Sequence, residues 1–205
     1  RTKANQTIPY RLTSFSSPTY NDPTVDSIDY VDTVADSSIG SNEILYTVGG
    51  ILENIPPNAC EFFDVYKNRL VVLESENKLT LNYSKTKLKN EGVAFSDTFK
   101  INVEPFGGDA TCVKFMDDKL LIFKKNNIYV MSGAGPTDTG AQNDFSVPEL
   151  VPSDVGCPYP RSLVLMPDGV MFKSYKGIYL INRSLTVSYI GADVEAYNSQ
   201  NIVSA

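Results

Sequence analysis

The stretch TCVKFMDDKLLIFKKNNIYVMSG at residues 111–133 aligns without gaps with RSLVLMPDGVMFKSYKGIYLINR at residues 161–183, fifty positions later. Matched pairs include Val113 and Leu163, Phe115 and Leu165, Asp118 and Asp168, Leu120 and Val170, Ile122 and Phe172, and Tyr129 and Tyr179. An upstream copy, FFDVYKNRLVVLESENKLTLNYS, covers residues 62–84. There the corresponding places hold Asn68, Leu70, Val72, Asn77, Leu79 and Leu81. A fixed interval of this kind decides architecture before local propensity does.

Each copy predicts a strand, a turn, a strand, a turn and a strand. The strands alternate in hydrophobicity and are rich in β-branched and aromatic residues. The turns carry pairs that tolerate hairpin dihedrals, namely Lys67-Asn68, Asp117-Asp118, Asp168-Gly169, Glu76-Asn77, Asn126-Asn127 and Lys176-Gly177. No window predicts a long helix.

Short antiparallel strands that recur every forty to fifty residues are typical of β-propeller blades. The sequence therefore predicts an all-β chain with a partial β-propeller over residues 45–205. Three blades are fewer than the about 4 to 8 that close a ring, so the others must come from further sequence or from partners. The alternative is an ordinary β-sandwich with similar hairpins.

Residues 1–44 differ from the repeats. RTKANQTIPYRLTSF predicts two edge strands around a turn at Asn5, and VDSIDYVDTVAD predicts another strand with outward acidic residues. Pro9, Pro18 and Pro23 interrupt the segment, which suits the end of a small immunoglobulin-like β-sandwich. We expect the domain boundary near residues 45–50. Because the chain starts at Arg1 rather than Met, we also expect it to be a portion of a longer protein.

The composition excludes several kinds of chemistry. The 205 residues include no His, which removes the usual general base and both Ser-His and Cys-His nucleophile pairs. The net charge is −6 without a dense Lys/Arg stripe, unlike a nucleic-acid binder. Apolar runs stop far short of the roughly 20 residues of a membrane span. Cys60, Cys112 and Cys157 lack C-x-x-C spacing and are expected to be reduced, mostly buried thiols.

Two acidic motifs invite a chemical interpretation. Asp138-Thr139-Gly140 spells the aspartic protease triplet, but that chemistry needs two carboxylates that share a proton, and this loop is polar. A turn is the expected role. The series Asp22, Asp26, Asp29, Asp32 and Asp36 could supply calcium ligands, yet its spacing is not that of an EF-hand loop, so a solvated face is expected.

The remaining motifs are weaker. Gly133-Ala134-Gly135 and Gly107-Gly108-Asp109 open no predicted helix and are expected to be turns. Asp109 with Asp117 or Asp168 could form a glycosidase pair, although nothing selects one. The tyrosines at 66, 83, 129, 175 and 179 predict core or interface positions, and Lys85, Lys87 and Lys89 a solvated hairpin tip. We expect no catalytic, metal or cofactor residues, and hence no enzyme. The long connection at 132–160, with Phe145, Val147 and Tyr159, is the predicted partner surface.

The strings LYTVGGILENIPPNACEFFDVYKNRLVVL, LNYSKTK, GVAFSDTFKINV, MDDKLLIFKKNNIYVMSGAGP, SDVGC and GIYLINRSLTVSYIGADVEAY resemble a family of bacteriophage tail propeller proteins. The family includes tail nozzle, tail tubular protein B-like and tail stabilisation proteins. The resemblance covers residues 45–198 well and residues 1–44 loosely. It implies structural roles for Asn68, Arg69, Leu70, Ser84, Phe95 and residues 153–157.

This resemblance also implies partners and a location. Subunits of the family form a ring, typically a hexamer, below the portal and adaptor of the virion tail after assembly in the host cytoplasm. Tail adaptor and tail fibre or spike proteins would be partners, and DNA would be passing cargo. The alternatives are a carbohydrate- or receptor-binding propeller and, less favoured by the residues, a propeller glycosidase or protease.

Overall fold

A computed structural model describes residues 1–3, 8–13, 24–25, 27, 29–42, 44, 51–90, 92–141 and 144–200. Within them lies one four-residue helix, α1 at Asp36–Ile39. The strands are β1 Cys60–Tyr66, β2 Arg69–Glu74, β3 Thr80–Ser84, β4 Phe95–Asn102, β5 Ala110–Met116, β6 Lys119–Lys124, β7 Ile128–Ser132, β8 Glu149–Leu150, β9 Val164–Met166, β10 Gly169–Ser174, β11 Gly177–Asn182 and β12 Val187–Tyr189. Short 3₁₀ segments cover Pro160–Ser162 and Ala192–Tyr197.

The strands form three four-stranded antiparallel sheets, each a meander in which neighbours in sequence are neighbours in space. Sheet 1 contains β1 to β4, sheet 2 contains β5 to β8 and sheet 3 contains β9 to β12. This confirms the all-β prediction. Each sheet begins with a hairpin whose turn has two residues, and in sheet 1 these are Lys67 and Asn68, both with positive φ.

The fifty-residue interval holds at the level of strand register. Val65 pairs with Leu70 in sheet 1, Phe115 with Leu120 in sheet 2 and Leu165 with Val170 in sheet 3. The first two hairpins also share a β-bulge fifty residues apart, between Cys60 and Phe62 and between Ala110 and Cys112. The same local twist is therefore built into both first strands.

The predicted match of the upstream copy is wrong beyond its first hairpin. Val72 pairs with Asn82, whereas Ile122 pairs with Tyr129 and Phe172 with Tyr179. Asn82, and not Leu79, is thus the counterpart of the two tyrosines. The chain between the paired Val72 and Asn82 is three residues longer than that between Ile122 and Tyr129. There the Asn77 side-chain oxygen accepts a hydrogen bond from the Leu79 amide at 3.2 Å.

The sheets stack face to face in chain order and in one direction. We call the face toward the following sheet the front and the opposite face the back. Tyr66 on the front of sheet 1 meets Phe115 on the back of sheet 2, with ring centroids 5.3 Å apart. Phe123 on the front of sheet 2 meets Phe172 on the back of sheet 3 at 5.2 Å. Equivalent faces therefore play equivalent roles at both junctions.

Sheet 2 is covered on both faces because it lies between the other two. Its back-facing Val113, Leu120, Ile122, Tyr129 and Met131 join the front of sheet 1 in one apolar cluster. Its front-facing Cys112, Leu121, Phe123 and Ile128 join Val170, Phe172 and Ile181 of sheet 3 in a second cluster. The near-continuous apolar runs of β6 and β7 follow from this burial of both faces.

The N-terminal part packs into the first cluster through Ile8, Tyr10, Ile39 and Ile44. Thr2 forms an isolated antiparallel bridge with Pro9, and Asn5, the predicted turn residue, lies outside the described residues. The strand predicted over VDSIDYVDTVAD is wrong for residues 29–36, because residues 29–35 have no regular secondary structure and Asp36 begins α1. The predicted boundary at 45–50, and Pro18 and Pro23, also lie outside the described residues.

Truncation of one central side chain tests the stacked core. Leu120→Ala should lower the free energy of unfolding by about 2–5 kcal/mol, because Leu120 is fully buried between sheets 1 and 2. Leu88→Ala is the matched control, since Leu88 is exposed. Urea denaturation of both variants measures the difference, and equal stabilities would contradict the stacking.

Candidate interaction site

The connection after β7 doubles back over sheet 1. Gly133 forms a bridge with Phe145, and the Phe145 ring stands edge-on to Tyr83 with centroids 4.8 Å apart. The Tyr66 hydroxyl donates to the carbonyls of Asp118 at 2.8 Å and Gly133 at 2.9 Å. Burial raises the pKa of Tyr66 to about 12, so the hydroxyl stays a donor at physiological pH. This half of the predicted partner surface, residues 133–141 together with Phe145, is thus packed against sheet 1. We call these residues the clamp.

A buried arginine holds the clamp. Arg69 lies on the front of β2, where its guanidinium donates to the carbonyl of Ser84 at 2.8 Å and to that of Pro136. It also lies over Tyr83, with 5.8 Å from its Cζ to the ring centroid. Burial lowers the pKa of Arg69, while nearby Tyr83 and Asp138 partly offset that shift. An arginine remains charged even so, and it links sheet 1 to the connection after β7.

Asp138, the acid of the protease-like triplet, is part of the same clamp. Its carboxylate accepts the backbone N–H of Thr86 at 2.8 Å, and its carbonyl accepts that of Leu52 at 3.0 Å. Gly140 closes the turn with a φ of +77°. The triplet therefore forms a turn that joins the connection to sheet 1 and to the 51–54 segment, as the polar loop predicted.

The prediction of a solvated tip for Lys85 is wrong. Lys85 is buried, and its ammonium donates to the Leu52 carbonyl and to the Asn54 side-chain oxygen, the latter at 2.6 Å. Burial lowers the pKa of Lys85. The nearby lysines 87 and 89 are exposed as predicted. The alternation of apolar residues along the strand did not predict that Lys85 is buried. Its acceptors, Leu52 and Asn54, lie more than thirty residues earlier in the chain.

The later part of the connection lies on the front of sheet 2. Val151, Val155 and Cys157 are buried in the second apolar cluster. The Thr111 hydroxyl, which sits at the β-bulge, donates to the Cys157 carbonyl at 2.6 Å. Cys112 and Cys157 are buried as expected, whereas Cys60 is exposed. Burial raises the pKa of the Cys112 thiol well above its ordinary value.

Between these two packed parts, the connection has an exposed ridge. It carries apolar and acidic side chains next to short strand β8, namely Asp144, Val147, Glu149, Leu150 and Asp154. Asp154 pairs with Lys176 of sheet 3, and the same lysine lowers the pKa of that carboxyl. We call the exposed residues Asp144, Val147, Glu149, Leu150 and Asp154 the ridge, and they are an accessible part of the predicted partner surface.

The acidic N-terminal series is only partly described. Asp22 and Asp26 lie outside the described residues, and Asp29 is exposed. Asp32 and Asp36 both pair with Arg1, the former at 2.6 Å. The Val34 amide and then Arg1 lower the pKa of Asp32. Across the described ranges, no group of three Cys, Asp or Glu side chains is placed to hold a metal ion.

The members of one candidate carboxylate pair, Asp109 and Asp117, lie far apart and face basic side chains, and Asp168 of the other pair is exposed. Asp109 and Asp117 flank the seven residues of β5, which separates them by roughly 25 Å of extended strand. Asp117 pairs with Arg183 across the second junction, and Asp109 lies 3.8 Å from Lys125. The separation exceeds the about 5–9.5 Å of glycosidase carboxylates.

Of the two glycine motifs, Gly107-Gly108 lies in a turn as expected, whereas Gly133 forms a β-bridge with Phe145. Gly107, Gly108, Gly133 and Gly135 all have positive φ. A Cβ on Gly135 would fall 2.5 Å from the Phe145 ring, so the close approach of the clamp requires glycine there.

The tyrosines divide as core and surface. Tyr66, Tyr83 and Tyr129 are buried, Tyr179 is half-buried and Tyr175 is exposed.

Sequence reasoning missed two more buried cations, Lys124 and Lys173. The Lys124 ammonium donates to the Glu104 carbonyl and lies over Tyr129, and that of Lys173 donates to the Gln200 carbonyl and lies over Tyr159. Each lysine directly follows a phenylalanine near the end of an apolar strand, which is the local signal in the sequence.

The sequence matches no protein-family model and no curated protein. Within the described part of the chain, none of the helices is long and apolar enough to cross a membrane.

Removal of the buried guanidinium tests the clamp. Arg69→Met should lower the free energy of unfolding by about 1–3 kcal/mol, because it leaves the carbonyls of Ser84 and Pro136 without their donor. Proteases should also cut within 133–148 sooner than in the parent. Lys87→Met, at an exposed site nearby, is the control. If the two variants matched in denaturation and limited proteolysis, Arg69 would not hold the clamp.

Proposed function

We propose that this chain is a non-enzymatic structural segment of a bacteriophage tail. It forms part of the nozzle conduit below the portal and adaptor, through which DNA passes. Its three sheets are blades of a partial β-propeller, and residues 1–44 are the end of an immunoglobulin-like β-sandwich. The protein acts in the virion by assembly, with copies of itself in a ring that the resemblance suggests is a hexamer.

The observation that carries the proposal is the one-directional stack of three sequential four-stranded meanders. Sheets that present the same back and front in turn are the arrangement expected of propeller blades. Tyr66 and Phe123, which come from different sheets, each reach the following sheet in the same sense. The sequence segments that resemble tail propeller proteins are the reason for proposing that family rather than another class of propeller.

Charge agrees with a passive conduit. The chain has a net charge of −6, and an acidic wall repels the phosphate backbone, whereas a basic wall would hold it through counterion release. Val147 and Leu150 on the ridge supply apolar contact area, and the acidic residues beside them supply a polar rim. The ridge is the surface proposed to meet tail adaptor, fibre or spike proteins.

Electron microscopy of the full-length product tests this function. Negative-stain images should show rings, and gold-labelled antibody against the ridge should decorate the tail of phage particles that carry the gene. Portal and adaptor genes next to this gene would agree with that result. A full-length product that stays monomeric at high concentration, together with particles that bind no antibody, would overturn the proposal.

The second candidate is a carbohydrate-binding module, which rests on Tyr159 and Tyr175. Their rings stand edge-to-face with centroids 5.9 Å apart, and Tyr175 is exposed for stacking on a sugar. A glycan-array signal that Tyr175→Ala abolishes and Tyr30→Ala leaves intact would favour it, since Tyr30 is an exposed tyrosine in the N-terminal part. No signal from the parent chain would exclude it.

A further inference from the structure

Two buried cysteines face each other on the front of sheet 2. Cys112 lies in β5, and Cys157 lies on the segment that leads from β8 toward β9. Both residues are 0% exposed, and both belong to the second apolar cluster. Their thiols are within hydrogen-bond distance of each other. The fold thus brings together two thiols that are far apart in sequence.

Backbone contacts hold the two cysteines in place. Cys112 pairs with Phe123 of β6, and the Cys157 amide donates to the carbonyl of the next residue, Lys124, at 2.8 Å. The Thr111 hydroxyl donates to the Cys157 carbonyl at 2.6 Å and lies 3.5 Å from the Cys112 sulfur. Because the two thiols are already in contact, a small side-chain movement brings the sulfurs to the about 2.05 Å of an S–S bond.

The repeat does not require a cysteine at this place. The counterparts of Cys112 at fifty-residue spacing are Phe62 in sheet 1 and Ser162 beside sheet 3. Gly107 stands fifty residues before Cys157. The paired thiols therefore belong to sheet 2 alone among the three sheets and are not a common feature of the stacked core.

We propose that Cys112 and Cys157 are an oxidative modification site, at which hydrogen peroxide converts the two thiols into a disulfide within one chain. The Cys157 thiolate first attacks one peroxide oxygen, the O–O bond breaks, and a sulfenic acid forms while the released hydroxide takes up the thiol proton to become water. The Cys112 sulfur then attacks the Cys157 sulfur, and the sulfenic hydroxyl leaves with the Cys112 proton as a second water. Two electrons pass from the thiols to the peroxide.

The surroundings favour Cys157 as the first thiol to react. The hydrogen bond that Cys112 donates to its sulfur lowers the pKa of Cys157, and burial raises the pKa of Cys112. Cys157 also lies on a segment without helix or strand, whereas Cys112 is held in a paired strand. Local opening of such a segment costs less than opening a sheet, so peroxide reaches Cys157 before Cys112.

The disulfide would tie the ridge to sheet 2. It joins β5 to the segment that carries the ridge residue Asp154, three positions before Cys157. A bond that closes a long loop restricts the unfolded chain, so the oxidised protein should be the more stable form. This site uses none of the surfaces proposed for assembly, and it does not rest on the proposed tail function.

Peptide mapping of the 205-residue chain tests the site. Cys60→Ser removes the exposed thiol, so that Cys112 and Cys157 are the two cysteines that remain. After the folded variant is treated with hydrogen peroxide and its free thiols are alkylated, non-reducing mass spectrometry should find the Cys112 and Cys157 peptides joined. The melting temperature should rise by about 4–16 °C, and a thiol reductant should reverse both changes.

The matched controls are Cys60→Ser combined with Cys112→Ala and Cys60→Ser combined with Cys157→Ala. Each keeps one buried thiol, and neither should gain a cross-link or a higher melting temperature. If a control does not fold, the mapping of Cys60→Ser decides alone. Peptides that stay unjoined in Cys60→Ser, with free or oxygenated sulfurs, would overturn the proposal.

Three further results would also overturn it. A cross-link between two chains, or one that forms only in urea, would show that the folded chain does not hold the two sulfurs together. A joined chain with an unchanged or lower melting temperature would show that the disulfide does not fit the native structure.

Discussion

The constraint on which this fold depends is that a β-sheet with apolar side chains on both faces must be covered on both. Sheet 2 meets it: Val113 and Ile122 on its back and Leu121 and Phe123 on its front are all fully buried. Only neighbours on either side can provide that burial. The fifty-residue repeat supplies them as sheets of the same design, and it orders them in one direction.

Polar groups then fix how the apolar faces meet. At the first junction the Asp64 carboxylate accepts the Phe115 amide at 2.7 Å and lies 3.4 Å from the Lys114 ammonium, while Arg69 and Tyr66 bind carbonyls of the connection after β7. Such bonds add specificity that a nonpolar contact lacks, since each has one geometry. The connection between β7 and β8, two strands of sheet 2, therefore also ties sheet 2 to sheet 1.

The sequence could predict the parts of this structure that repeat. Turn pairs and alternating strands gave the first hairpins, and the gapless match of residues 111–133 to 161–183 holds in register. The longer connection after β2 was not predictable. At fifty-residue spacing Asn77 aligns with Asn127 and Gly177, which are also turn-forming residue types, so the alignment gave no sign of the extra residues. The burial of Lys85 and that of Arg69 were missed for a different reason: their partners Leu52 and Pro136 are distant in sequence. The sequence predicted the whole connection at 132–160 as a partner surface. Only the structure shows which of its residues are exposed and therefore form the ridge.

A double-mutant cycle on Phe123 and Phe172 tests the stacking most directly. Their rings meet across the second junction, so the two alanine substitutions should couple by about 0.5–1.5 kcal/mol in the free energy of unfolding. Phe115 and Phe123 occupy opposite faces of sheet 2, and their substitutions should add without coupling. Additivity for Phe123 with Phe172 would contradict the front-to-back arrangement of the sheets.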